Sequence, residues 1–174
     1  MCILLIILIV IAVPLIIALF MDKGFVIERN IIINKPQQEV FDYIKLLRNT
    51  GNYNKWVMID PNLKKEFEGT DGTVGAIYKW DSENKQVGKG EQEIIKLTDS
   101  RIDYELRFIK PFQNVANAYL IADSVAGNQT KVTWGFTGLR NFPMRIMHLL
   151  MNLKKMLGND LQTSLGNLKI LLEK

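Results

Sequence analysis

The chain has little of the chemistry that supports metal binding or nucleophilic catalysis. Its 174 residues include one cysteine, Cys2, and one histidine, His148. A single thiol excludes an internal disulfide and a cysteine zinc site, and a single histidine excludes a histidine metal cluster. His148 lies in an apolar helical pattern, where a solvated or packed histidine is far more common than the base of a triad. We therefore expect no metal, no cofactor and no catalytic residue that the sequence can name.

Net charge is low as well. The chain carries 22 Lys and Arg against 18 Asp and Glu, a formal charge of +4. The lysines are scattered, whereas nucleic-acid binding requires a dense basic stripe. A mild positive charge is compatible with an anionic membrane surface. We therefore expect no nucleic-acid partner.

One long apolar run opens the chain. Residues 2–21, CILLIILIVIAVPLIIALFM, contain no charged side chain, and about 20 helical residues span the roughly 30 Å hydrocarbon core of a bilayer. A cleaved signal peptide is the alternative, but the run lacks a basic n-region and a small-x-small cleavage site. We predict a retained single-pass anchor over residues 1–21. Lys23 and Arg29 follow it, which favours the cytoplasmic side for the rest of the chain.

Residues 22–174 are predicted to form one domain. The β-branched segment 24–34 indicates a first strand, and Pro36 then opens a helical pattern that ends near residue 47. Residues 49–56 form a second short helix or a turn. Six more strands follow with short turns between them, which implies antiparallel neighbours. They lie near residues 62–68, 74–81, 88–98, 101–109, 114–124 and 129–138.

The chain changes its apolar period near Gly138. Val132, Trp134 and Phe136 alternate with small or polar residues, as in a strand with one covered face. From Phe142 to Glu173 the apolar spacing becomes three and four, which predicts a long amphipathic helix. This helix alone is long enough to cover the apolar face of the sheet. The fold class is therefore α+β, an antiparallel sheet packed on a C-terminal helix.

Four stretches carry a family resemblance. They are VIERNIIINKPQQEVFDYI at the start, YNKW in the second short helix, GTDGTVGAIYKW in the middle and KVTWGFTG before the last helix. With the order of elements, they resemble the START-related SRPBCC superfamily, and more narrowly its polyketide cyclase/dehydrase group with an N-terminal membrane segment. The resemblance spans residues 24–174. It implies a helix-grip fold, in which a seven-stranded sheet wraps round the C-terminal helix and encloses a cavity for a lipid, a polyketide or another apolar molecule.

Aromatic residues form the most informative cluster. Rings recur on single faces of three predicted strands and on the second short helix, a composition typical of small-molecule pockets. Plain core packing is the alternative. Methionines, including Met144, flank the leucines of the long helix and adapt to varied apolar shapes. The predicted ligand-binding residues are Trp56, Tyr78, Trp80, Tyr104, Phe108, Trp134, Phe136, Met147 and Met151.

Two other pairs of residues have possible functional meanings. Glu91 and Glu93 alternate along one strand and could act as paired carboxylates, although the covered face of this strand is ambiguous. Gly158 and Gly166 lie inside the predicted long helix, where each glycine destabilises the helix by about 1 kcal/mol relative to alanine. We interpret these glycines as a bend or as space for a ligand.

The sequence thus predicts a membrane-tethered, non-catalytic domain that holds an apolar small molecule or lipid between sheet and helix. One alternative is a cyclase- or dehydratase-like enzyme in which Tyr78, Tyr104 or Glu91 polarises a carbonyl. The other is a scaffold whose cavity is filled by its own side chains. A filled core has no pocket, a binding domain has a dry one, and an enzyme adds a positioned acid or base.

Overall fold

A computed structural model describes residues 24–125, 127–139 and 153–174. The predicted anchor, His148 and the methionines at 144, 147 and 151 lie outside these residues. Within the three described ranges, no helix combines the length and the hydrophobicity that crossing a membrane requires.

Seven strands and three α-helices make up the described part of the chain, with one 3-10 helix between the first two α-helices. The seven predicted strands are confirmed, and their ends agree within about three residues. The elements are β1 (Gly24–Ile33), α1 (Gln37–Ile44), the 3-10 helix (Leu47–Asn52), α2 (Lys55–Met58), β2 (Lys64–Glu68), β3 (Ile77–Asp81), β4 (Lys89–Leu97), β5 (Arg101–Lys110), β6 (Asn114–Val125), β7 (Gln129–Leu139) and α3 (Leu153–Leu172).

All strands form one antiparallel sheet. Strands β2 to β7 follow one another as a meander, and β1 joins its far side, which gives the order β1-β7-β6-β5-β4-β3-β2. Gly24 pairs with Leu139 and Ile33 with Thr130, so β1 is in register with β7 along its whole length. One end of the sheet therefore carries the start of β1 together with the end of β7.

The C-terminal helix covers the inner face of this sheet. Leu161, Leu165 and Leu168 of α3 are fully buried, as the three-and-four spacing predicts. The end of α3 is fixed to β1 by two hydrogen bonds. Lys169 Nζ donates to the Ile32 carbonyl at 2.8 Å, and the Asn34 amide donates to Glu173 Oε1 at 2.6 Å. The predicted packing of helix on sheet is thus confirmed for the described part of the helix.

The two glycines of α3 have different surroundings. A Cβ added at Gly158 would lie 2.2 Å from Nη2 of Arg29, which reaches over from β1, whereas no atom lies within 4 Å of a Cβ added at Gly166. The space at Gly158 therefore belongs to an arginine side chain rather than to a ligand. Neither glycine lines the cavity described below.

Candidate ligand-binding cavity

A cavity of about 250 Å³ lies between the inner face of the sheet and the helices α2 and α3. Seven of the nine predicted ligand-binding residues line it, and the other two fall outside the described residues. The open volume argues against the alternative of a core filled by its own side chains. The seven lining residues are Trp56, Tyr78, Trp80, Tyr104, Phe108, Trp134 and Phe136.

The rings on β2, β3 and β5 support one another as a continuous wall. Phe67 stacks on Tyr78 at 5.1 Å between ring centroids, Tyr78 lies 5.9 Å from Trp80, and Trp80 meets Phe108 edge-on at 6.0 Å. These separations are those of favourable aromatic pairs. Because each ring is held by its neighbours, the wall keeps its shape without a ligand.

Gly90 lets the Trp80 indole lie flat against the sheet. It is the cross-strand partner of Trp80, and an added Cβ would lie 2.6 Å from an atom of the indole. The indole is further fixed by its Nε1–H, which donates to the Val87 carbonyl at 3.3 Å. A side chain at position 90 would therefore push the ring into the cavity.

Helix α2 brings Trp56 to the cavity. Asn54 caps this helix, since its side chain accepts a hydrogen bond from the Trp56 amide at 3.0 Å. The Lys55 amide donates to Ser164 Oγ at 3.0 Å, and Lys55 also pairs with Asp160. Because both partners lie on α3, the short helix is held against the long one.

Sequence reasoning missed several lining residues. Tyr53 is almost fully buried and meets the Trp134 ring at 5.9 Å, and the motif YNKW was the only signal for it. Gln92 lies on the inner face because Gly90, Gln92 and Ile94 alternate with the outward-facing glutamates. Ala118 gave no signal, since small residues are not typical of pocket walls.

The polar groups of the cavity are hydroxyls, amides and the indole N–H groups of the lining tryptophans. Among the described lining residues there is no Asp, Glu, His, Lys or Arg. Burial raises the pKa of Tyr78 to about 12 and the pKa of Tyr104 well above its ordinary value. Burial also raises the pKa of Tyr53, despite a hydrogen bond with the Thr50 side chain. At neutral pH these tyrosines are therefore hydrogen-bonding groups rather than bases.

The interpretation of Glu91 and Glu93 as an acid–base pair is wrong. Both lie on the outer face of the sheet, where Arg107 donates to Glu91 at 2.5 Å and to Glu93 at 2.7 Å. These bonds, with a third to Glu105, raise the pKa of Arg107. The sequence was ambiguous because an irregularity between Ile94 and Lys96 breaks the alternation of β4. Glu91 consequently cannot polarise a carbonyl in the cavity.

The cavity opens toward the end of the sheet where β1 begins. Deep lining residues such as Tyr104, Leu120 and Leu161 are buried, whereas Trp80 and Phe108 are partly exposed and Gln86 is exposed. The last three lie on β3, the β3–β4 loop and β5, at the same end as Gly24 and Leu139. Exposure therefore increases toward one end of the domain.

An antiparallel sheet of seven strands, a long C-terminal helix across it and a cavity between them define the architecture. The chain has a helix-grip fold. DynU16, a protein of the dynemicin biosynthetic locus, has this arrangement with a TM-score of 0.60 and 14% identity, over 88% of this chain and 48% of DynU16. Truncated norcoclaurine synthase from Thalictrum flavum matches with a TM-score of 0.62 and 10% identity, over 87% of this chain and 95% of that chain.

Another helix-grip structure is that of BexL, a di-domain ARO/CYC protein from the BE-7585A biosynthetic pathway. It has a TM-score of 0.60 and 12% identity, over 87% of this chain and 51% of BexL. This chain thus spans about half the length of DynU16 and of BexL. No family model matches the chain, and no curated protein does. The similarity to these structures concerns the fold.

Proposed function

We propose that residues 22–174 bind an apolar small molecule in the cavity between the sheet and α3. The observation that carries this proposal is the open volume of about 250 Å³ lined by eight aromatic side chains. Burying about 300 Å² of apolar ligand surface at ~25 cal/mol per Å² contributes roughly 7 kcal/mol before ordering costs. Desolvation alone thus brings the affinity toward the micromolar range.

The size of the cavity limits the ligand. Its volume of about 250 Å³ lies just below the ~300–1,000 Å³ that is usual for pockets of drug-sized ligands. A fused ring system or a single short acyl chain suits this space better than a lipid with two long chains. A lipid ligand is therefore proposed only in the single-chain form.

The tether is the second part of the proposal. We propose that residues 1–21 anchor the domain to a membrane, on its cytoplasmic side. The uncharged apolar run at residues 2–21 supports this. It precedes Gly24, and the cavity opens at the end of the sheet where Gly24 lies, so the tether would bring the opening close to the membrane. Exposed apolar side chains lie there too, on the outer face of neighbouring strands and at the β5–β6 hairpin: Val26, Ile109, Phe112, Val115 and Leu139.

A tether at this end would raise the effective concentration of membrane-dissolved ligands at the opening. Membrane fractionation combined with protease protection tests the anchor and its orientation. We expect the full chain to stay with membranes after alkaline carbonate washing, and the domain to resist protease added from the non-cytoplasmic side. Release by carbonate would contradict the anchor and leave the cavity proposal intact.

A cyclase- or dehydratase-like activity is the second candidate. The observation that favours it is the group of tyrosine hydroxyls in an otherwise apolar cavity, where Tyr78 could donate a hydrogen bond to a substrate carbonyl as charge develops on its oxygen. BexL is named as an ARO/CYC protein and the Thalictrum flavum protein as a synthase. A Tyr78→Phe variant that binds a ketone substrate normally but no longer converts it would support this candidate.

The binding proposal can be tested with N-phenyl-1-naphthylamine, a neutral fluorescent probe. The full chain in nanodiscs would be titrated and compared with Ala118→Leu, which places a larger side chain in the cavity wall, and with Asn117→Leu, its neighbour on the outer face. We expect Ala118→Leu to weaken probe binding at least tenfold and Asn117→Leu to leave it unchanged. Equal signals from all three proteins would mean that the probe dissolves in the bilayer and that the proposal is wrong.

A further inference from the structure

The hydroxyl of Tyr78 is a buried polar group on a residue that packs between aromatic side chains. The residue is 3% exposed, its ring lines the cavity, and its hydroxyl oxygen is buried without a hydrogen-bond partner among the described residues. A buried hydroxyl without a partner costs about 1–3 kcal/mol. Because burial raises the pKa of Tyr78 to about 12, the group keeps its proton at neutral pH and is available as a donor.

Gln92 is a second polar residue in the same part of the wall. It is the cross-strand partner of Tyr78, and both side chains line the cavity. Directly opposite residues of an antiparallel pair have Cβ atoms about 4.5–5.5 Å apart. The primary amide of Gln92 supplies a further donor and an acceptor. Tyr78 and Gln92 thus form a polar pair on β3 and β4.

The surroundings of this pair are apolar. Phe67 and Trp80 pack on the two sides of the Tyr78 ring at 5.1 and 5.9 Å. The register also places Leu106 of β5 opposite Gln92, on the same face of the sheet. A ligand beside the polar pair therefore meets apolar side chains on the neighbouring strands, and the other hydroxyl and amide side chains of the lining belong to Thr50, Tyr53, Asn54, Gln86 and Tyr104. In such a site a single matched hydrogen bond discriminates strongly between ligands, because the alternative leaves a buried group unpaired.

We infer that the ligand carries an oxygen acceptor, of the ketone or ester carbonyl class, which accepts a hydrogen bond from Tyr78 beside Gln92. This inference rests on the proposed binding function and adds to it the chemical class of the ligand. It also gives the ligand an orientation, with its oxygen toward β3 and β4 and its apolar part toward β7 and α3.

Two isosteric compounds test the inference. They are 2-acetylnaphthalene, a methyl ketone, and 2-ethylnaphthalene, the hydrocarbon in which a methylene group replaces the carbonyl. Each would displace N-phenyl-1-naphthylamine from the full chain in nanodiscs, for the wild type and for Tyr78→Phe. For each protein, the affinity for the ketone is divided by the affinity for the hydrocarbon. Partitioning of the compounds into the bilayer is the same for both proteins, so it cancels when these two affinity ratios are compared.

We expect the ratio of ketone affinity to hydrocarbon affinity to be about tenfold higher in the wild type than in Tyr78→Phe, because the variant loses affinity for the ketone. Tyr119→Phe is the matched control, since it removes a hydroxyl that bonds Glu28 on the outer face. It should keep the wild-type ratio. Binding of both compounds with equal ratios in wild type and Tyr78→Phe would overturn this inference and leave the binding function standing. Displacement by neither compound would overturn both.

Discussion

At the scale of single residues, Ala118 explains why a cavity exists. It lies between Tyr104 on β5 and Phe136 on β7 in the sheet register. Two large rings flank a methyl group, so the layer over Ala118 is not filled by the sheet itself. An alanine between aromatic residues is equally common in a filled core. The sequence therefore predicted the aromatic lining residues but not the position of the space between them.

A comparison of two alanines on β6 tests whether the space is empty. Ala118 lines the cavity, whereas Ala122 is fully buried on the same face and does not. We expect Ala118→Leu to change the free energy of unfolding by less than about 1 kcal/mol, because the added atoms enter open volume. Ala122→Leu should cost about 1–3 kcal/mol through overpacking. Urea unfolding measures both, and equal losses would contradict an open cavity at Ala118.

At the scale of elements, the strands were the most predictable part of the molecule. Alternation along β3, β5 and β7 places Tyr78, Tyr104 and Trp134 on one covered face, and the period of two alone suffices for that. Prediction failed where a local irregularity decides the outcome. The irregularity between Ile94 and Lys96 leaves Ile95 exposed, so the alternation of β4 could not reveal which face carries its glutamates.

In the segment between α1 and β2 the sequence predicted a short helix or a turn at residues 49–56, but not which of its side chains are buried. Tyr53 reaches the core from the end of the 3-10 helix, and such a short turn has no periodicity from which a buried face can be read. Contacts with distant residues settle its place, among them the bond from Asn167 Nδ2 to the Tyr53 carbonyl at 3.2 Å. Tertiary contacts of this kind are not encoded locally.

The two glycines of α3 offer a matched test of the helix. Gly166→Ala should raise the free energy of unfolding by about 0.5–1 kcal/mol, since alanine favours the helix and the position is open. Gly158→Ala should give a smaller gain or a loss, because the Arg29 guanidinium must move away from the new Cβ. Thermal and urea unfolding of both variants provide the measurement. Equal gains at both positions would show that Arg29 moves without cost.

At the scale of the whole molecule, the buried tyrosines make stability depend on alkaline pH. The pKa values of Tyr53, Tyr78 and Tyr104 are all raised above the ordinary value of about 10. Between pH 10 and the folded pKa, the unfolded chain loses protons that the folded one retains. Their contribution to stability is therefore complete below about pH 10 and is lost as the pH rises further.

Urea unfolding at several pH values from 8 to 11.5 checks this dependence. We expect stability to fall above about pH 10, at up to about 1.4 kcal/mol per pH unit for each tyrosine that stays protonated in the folded state. The stability of Tyr78→Phe should fall less steeply with pH, because burial raises the pKa of Tyr78 to about 12 and the variant lacks this ionisable group. The difference in slope corresponds to about one proton between pH 10 and 12. Identical slopes in wild type and variant would contradict the burial of this hydroxyl.

The position of β1 has a consequence for biosynthesis. Among the described strands its only partner is β7, and Gly24 pairs with Leu139 more than 100 residues later. During synthesis, strands β2 to β7 can pair one hairpin after another while β1 has no partner yet. Closing so long a loop is slow compared with making a hairpin. During that delay the isoleucines of β1 are exposed to chaperones, and amide exchange during refolding should protect this strand last.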